Sequence, residues 1–103
     1  MLKKGQQDIT LDYAELRKAA LVLRAVNHKL RQKMLELLED HKRMTVTELF
    51  VKLRLEQSVA SQHLAILRRA GVVTTERDGK FIHYSINKDR ITQISEIVEE
   101  LVA

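Results

Sequence analysis

The chain has no cysteine, no proline and only three glycines in 103 residues. Without a thiol it can hold no disulfide, no redox switch and no thiolate metal site. Without proline, and with so little glycine, there is little room for linkers or low-complexity segments, and no internal repeat is visible. No apolar run approaches the roughly 20 residues that a membrane span needs. The opening MLKKGQQDIT lacks the apolar segment of a signal peptide, so a cytoplasmic chain without a membrane partner is expected. Enzyme chemistry also lacks a foundation. There is no Gly-rich phosphate loop, no Cys nucleophile and no Ser in a recognisable elbow motif, so neither a catalytic residue nor a cofactor is expected. The length suits a single domain over residues 1–103, with residues 1–9 a polar tail expected to fray.

The formal net charge is +4, and its distribution says more than its size. Residues 41–90 hold ten Lys and Arg against five Asp and Glu; residues 91–103 hold none against three. A positive field concentrated on one segment supplies attraction to phosphate, whereas evenly spread charge would only aid solubility.

That segment contains a helix, a turn and a second helix between Thr45 and Ala70. Thr45 and Glu48 stand at capping-box spacing, and Leu49 and Leu53 give the first helix an inward face. The second helix begins near Glu56 or Gln57. At about 100° per residue, Ala60, Leu64 and Leu67 fall together and face the core. Ser58, Ser61, Gln62, Ala65 and Arg69 fall on the other side, and none is large and apolar. Small residues let a helix sit deep in a major groove, where Gln can make paired hydrogen bonds to adenine and Ser suits several bases. The bland alternative is a set of neutral surface positions.

Gly71 is placed to end this helix in the left-handed conformation, after two arginines that suit its negative pole. A hairpin follows, with Asp78-Gly79 as a type I′ loop. That register sets Thr75 against Ile82 and Val73 against Tyr84, burying the side that carries Val73, Ile82, Tyr84 and Ile86. Arg77 and Lys80 bracket the tip, where a cation could reach phosphates or the minor groove, or could merely keep a loop soluble. The expected fold is therefore mainly α with a small β-hairpin wing: a winged helix-turn-helix of about five helices.

At this point the residues resemble those of the small bacterial ArsR/SmtB repressors. Gln57 to Gly71, QSVASQHLAILRRAG, is similar to the family's QSTVSRHLKLLREAG, the most specific of three matches. Asp78 to Ile86, DGKFIHYSI, resembles its wing, EGRWVYYRL. Ala25 to Leu35, AVNHKLRQKML, resembles ALADPTRLRIL, keeping Arg31 but placing His28 and Lys29 where Asp and Pro are usual. The resemblance implies a dimeric repressor of double-stranded DNA, with Gln57, Ser58, Ser61 and Gln62 at positions that touch DNA and His63 in a structural role. It also brings two recurrent metal sites to mind, and neither is expected here. The Cys-Val-Cys of one is matched by Thr45-Val46-Thr47, and the terminal-helix site of the other meets Asp89-Arg90-Ile91 and Glu96 to Glu100, with no His. The four histidines, His28, His41, His63 and His83, lie in separate elements without ligand spacing.

Outside the reading unit, Thr10 is a candidate cap for a first helix that contains Ala19 to Leu23, AALVL. Five apolar residues in succession point all round a helix, so one side is left needing cover. Asn27 or His28 begins a second helix with Leu30, Met34, Leu37 and Leu38 at core spacing, and Met44 to Val46 could form a short strand against the wing. Asn87 can cap a last helix striped by Ile91, Ile94, Ile97, Val98 and Leu101. One reading of that stripe is closure of the domain's own core. The alternative, favoured by the resemblance, is a homodimer through the first and last helices, with Leu21, Val22, Ile94, Ile97, Val98 and Leu101 at the interface and two reading helices about 34 Å apart on an inverted-repeat operator.

Two functions from different classes compete: a DNA-binding repressor with Gln57, Ser58, Ser61, Gln62, Arg69, Arg77 and Lys80 on the duplex, or a winged-helix protein-interaction module without operator affinity. Ser and Gln on the outward face favour the first. No inducer can be named.

Overall fold

The computed structural model describes residues 13–102, and for 101 and 102 the backbone only. The elements run α1 (Tyr13–Val26), α2 (Lys29–His41), β1 (Met44–Thr45), α3 (Val46–Leu53), α4 (Gln57–Arg69), β2 (Val73–Asp78), β3 (Phe81–Ile86) and α5 (Lys88–Val102). The expected tail and the Thr10 cap lie outside the described residues.

Side-chain caps set the starts of α2, α3 and α5. His28 caps α2 through Nδ1, which accepts from the Leu30 N–H at 3.1 Å. Thr45 opens α3 with the full capping box: its hydroxyl accepts from the Glu48 N–H at 3.2 Å, and the Glu48 carboxylate accepts from the Thr45 N–H at 2.8 Å. That backbone bond, foremost, holds the Glu48 carboxyl below its ordinary pKa. Asn87 caps α5 by accepting from the Arg90 N–H at 3.2 Å and donates its own amide to the Gly71 carbonyl at 3.0 Å. One side chain thus ties the start of α5 to the end of α4.

Gly71 closes α4 as expected, at φ +79°. Its N–H reaches the Arg68 carbonyl and that of Val72 the Leu67 carbonyl, the paired bonds of a Schellman motif. The same pair recurs after α3, from Arg54 to Val51 and from Leu55 to Phe50, with Arg54 at φ +56°.

The sheet has the order β1-β3-β2 and is antiparallel throughout. Here the structure corrects the expected hairpin. Asp78 pairs with Phe81, so the loop is Gly79-Lys80, and Thr75 meets Tyr84 while Val73 meets Ile86. Only Gly79 of the two loop residues has positive φ, +63°, the pattern of a II′ turn rather than I′. The register differs by two residues from the expected one. An even shift keeps each side chain on its face, so Val73, Tyr84 and Ile86 still turn toward the core. Ile82, on the same face, lies beyond the core's edge and is exposed.

The core draws on every helix and on β1 and β2. Met34, Leu38, Leu49, Leu64, Leu67, Val72 and Val73 are essentially sealed, with Ala19, Val22 and Ala25 of α1 and Ile94 of α5 packed on them. Among the described residues no side chain in that core is polar. No described helix is long and apolar enough to cross a membrane.

Candidate nucleic-acid interface

The helix pair α3–α4 is joined by Arg54-Leu55-Glu56, a three-residue turn of helix-turn-helix length. Leu49 anchors α3 and Ala60, Leu64 and Leu67 anchor α4, each fully buried. The helical period then leaves the other face of α4 to solvent. Gln57, Ser58, Ser61, Gln62, Ala65, Arg68 and Arg69 are all exposed, so the structure brings the expected reading residues onto one outward surface. Glu56 stands at the N-cap of α4 without a side-chain cap bond.

Arg77 and Lys80 are exposed at the far end of the wing. The Arg77 guanidinium donates to the Gly79 carbonyl at 3.4 Å, which keeps it at the loop. The carboxylates of the same strand are turned elsewhere: Arg43, from the α2–β1 connection, meets Glu76 at 3.1 Å and Asp78 at 3.8 Å. Neither Arg77 nor Lys80 has a carboxylate partner among the described residues. Arg43 was not singled out in the sequence; its position in a connecting segment gave no periodic signal.

Behind the reading face sits a cluster that spacing alone does not reveal. Arg31, on α2, donates from Nε to the Ala25 carbonyl at 2.5 Å, and its Nη1 lies 3.2 Å from His63 Nδ1. Gln32 donates to the Val26 carbonyl at 2.9 Å. Two successive side chains of α2 therefore satisfy the orphan carbonyls at the end of α1, where a cation is favoured by the helix dipole. The His28 ring lies 4.8 Å from that of His63. Two of the four histidines thus meet in space although their elements are separate. A guanidinium bonded to one of them is the wrong neighbour for a metal, and no described group of three or more His, Cys, Asp or Glu could hold one. Burial first, then the nearby His28 and Arg31, pushes the His63 imidazole below its ordinary pKa.

Of the residues expected at a dimer interface, Val22 and Ile94 are buried within the single chain. They are 2% and 6% exposed there, as members of its own core. Ile97 and Val98 are half-buried and Leu21 is exposed. Leu101 falls where side chains are not described.

An outward polar helix on a helix-turn-helix, beside a cation-tipped hairpin, defines a winged-helix DNA-binding regulator. Comparison with known proteins agrees. The family of bacterial regulatory proteins called the arsR family matches residues 28–75. The transcriptional repressor PagR of Bacillus anthracis is 33% identical over 94 residues, covering 91% of this chain and 94% of PagR. The transcriptional activator HlyU of Vibrio cholerae is 34% identical over 84 residues, covering 82% of this chain and 77% of HlyU. The PagR crystal structure superposes with a TM-score of 0.71 over 84% of this chain and 99% of that one, and an HlyU structure with 0.68 over 84% and 94%. The chain belongs to the ArsR family of winged-helix transcriptional regulators, a class that acts by regulating transcription and not as enzymes.

Proposed function

We propose that the protein is a homodimeric repressor that lays α4 in the major groove of each half of an inverted-repeat operator and sets its wings on the flanking backbone. The observation that carries this is the division of α4: Ala60, Leu64 and Leu67 wholly buried, Gln57, Ser58, Ser61 and Gln62 exposed in a row of small or bifunctional polar groups. The named repressor PagR supports repression, although HlyU carries the opposite sign. A protein-docking face would need large apolar side chains on α4, and Ala65 is the largest apolar group exposed there.

The dimer face is proposed on α1 and α5. Leu16 and Leu23 are both exposed and, seven residues apart, lie within about 20° of each other on the helix, with Tyr13 beside them. Leu21 is turned away from that stripe by about 140°, so it belongs to the face less firmly than Leu16 and Leu23 do. The half-buried Ile97 and Val98 are the part of α5 assigned to that face. The cytoplasm is the proposed compartment. With threonines in place of one thiolate pair and no His on α5, neither of the family's recurrent metal sites is proposed as the signal.

Selection of bound duplexes from a random pool tests this reading, an inverted repeat being the expected product. On that duplex, Gln62→Ala should narrow the gap between operator and random sequence by roughly 10-fold, a loss of about 1–3 kcal/mol of base readout. Arg77→Ala should weaken both duplexes alike and lower the salt slope by about one. Binding that ignores salt, or a pool that returns no repeat, would overturn it.

A further inference from the structure

The wing outruns its supports. β1 pairs with β3 only at Tyr84 and His83, so beyond His83 the hairpin is a two-stranded ribbon closed by Gly79-Lys80. Two large apolar side chains stand open there: Phe81 is 54% exposed and Ile82 38%. Strand alternation sets them on opposite faces of the ribbon. Lys80 Nζ lies over the Phe81 ring, 5.6 Å from its centroid, in a cation–π contact. Arg43 takes Glu76 and Asp78, so the two cations of the tip, Lys80 over the ring and Arg77 on the ribbon's other face, have no carboxylate partner among the described residues.

We propose that Phe81 is an apolar anchor of the wing in the minor groove, its ring against the deoxyribose wall while Lys80, held over the other face, meets the phosphates at the rim. The proposal rests on the reading of the protein as a duplex-binding regulator and deepens it by adding a contact of a different chemistry. An exposed aromatic alone would suit many partners. Flanking cations with no carboxylate partner select a polyanion, and a duplex offers apolar sugar faces directly beneath its phosphates. One face of the ring is already taken by the ammonium. The ring is therefore not free to sit between two bases, which would need both faces, and it lies against sugar instead. The minor groove, about 6 Å wide, admits a ring edge but not a helix. Sugars are the same at every base pair, so this anchor adds affinity without readout.

The test is a titration of full-length protein with a labelled random-sequence duplex and with the selected one, each at several salt concentrations. Phe81→Ala should weaken both about 10-fold, the effect of losing burial of roughly half a Phe side chain, and should leave the salt slope unchanged because no counterion is released by an apolar contact. Phe81→Leu should recover most of the loss, and Lys80→Ala should lower the slope by about one. The melting temperature of Phe81→Ala should match that of the wild type, since the ring packs on little of the protein. Wild-type affinity in Phe81→Ala overturns the proposal, as does a loss that accompanies a changed oligomeric state, which would assign the ring to a protein contact. A wild-type chain that binds no duplex at any salt overturns the regulator reading and this inference together, whereas duplex binding indifferent to Phe81 overturns this inference alone.

Discussion

Arg31 can only donate hydrogen bonds, so the His63 nitrogen that it meets must be an acceptor, which fixes His63 as neutral with its proton on Nε2. A second proton would set an imidazolium N–H against a guanidinium N–H, with the His28 ring 4.8 Å away. This agrees in direction with the lowered pKa of His63. Because the folded value lies below the unfolded value of 6.5, the unfolded chain binds more protons in the interval between them. The neutral-His63 contribution is therefore complete above about pH 6.5 and is lost as pH falls through the folded value. Thermal unfolding followed from pH 7.5 to 5.5 should show a falling melting temperature in the wild type and a flatter profile in His63→Gln. Equal slopes in the two proteins would remove His63 from the account. The chain departs from its family's usual pattern here, since His28 stands where the cap residue is commonly Asp, an anion that would have favoured the charged imidazole.

At the scale of the element, Thr45 holds two roles at once, as the last residue of β1 paired with His83 and as the N-cap of α3. Thr45→Ala removes the hydroxyl that accepts from Glu48, and should cost about 1 kcal/mol, or roughly 4–8 °C in melting temperature for a domain of this size. Thr45→Ser should retain most of it, and an Ala variant that melts with the wild type would show that the sheet, not the cap, holds the start of α3. This junction was legible from the chain because a capping box is a local signal: two side chains three residues apart are enough to write it. The same holds for the Schellman close at Gly71 and for the buried stripe of α4. The hairpin was legible in its faces but not in its pairing, because Asp78-Gly79 and Gly79-Lys80 are both acceptable two-residue loops and the alternation cannot tell a shift of two. The contact of Arg31 on α2 with His63 on α4, and the clamp of Arg43 on the wing, were not legible at all. Both join residues more than thirty apart, and no periodic pattern encodes a partner at that range.

At the scale of the molecule, the chain is longer than its core requires. Its Cα radius of gyration is 16.2 Å, against about 13 Å for a compact domain of this length, and it measures 54 Å in its longest direction. In α1 the core takes Ala19, Val22 and Ala25, leaving Tyr13, Leu16 and Leu23 with 39–65% of their surface in water. An apolar stripe of that kind on a helix at the edge of the fold is what a two-fold partner would cover, and closure by the same patch on both copies is the commonest symmetry of such assemblies. Duplex geometry sets the demand that such a dimer must meet, two α4 helices about 34 Å apart. A substitution that breaks the α1 face without touching the core should therefore affect both mass and operator binding. Leu16→Glu with Leu23→Glu should convert the proposed dimer to a monomer in light scattering, leave the far-UV helical signal in place, and reduce affinity for a full inverted repeat at least 100-fold while a single half-site loses little. Leu21→Glu, on the far side of the same helix, should do much less. A double variant that remains dimeric, or a wild type that is monomeric at micromolar concentration and still binds the full repeat tightly, would show that the two halves of the operator are not bridged through α1.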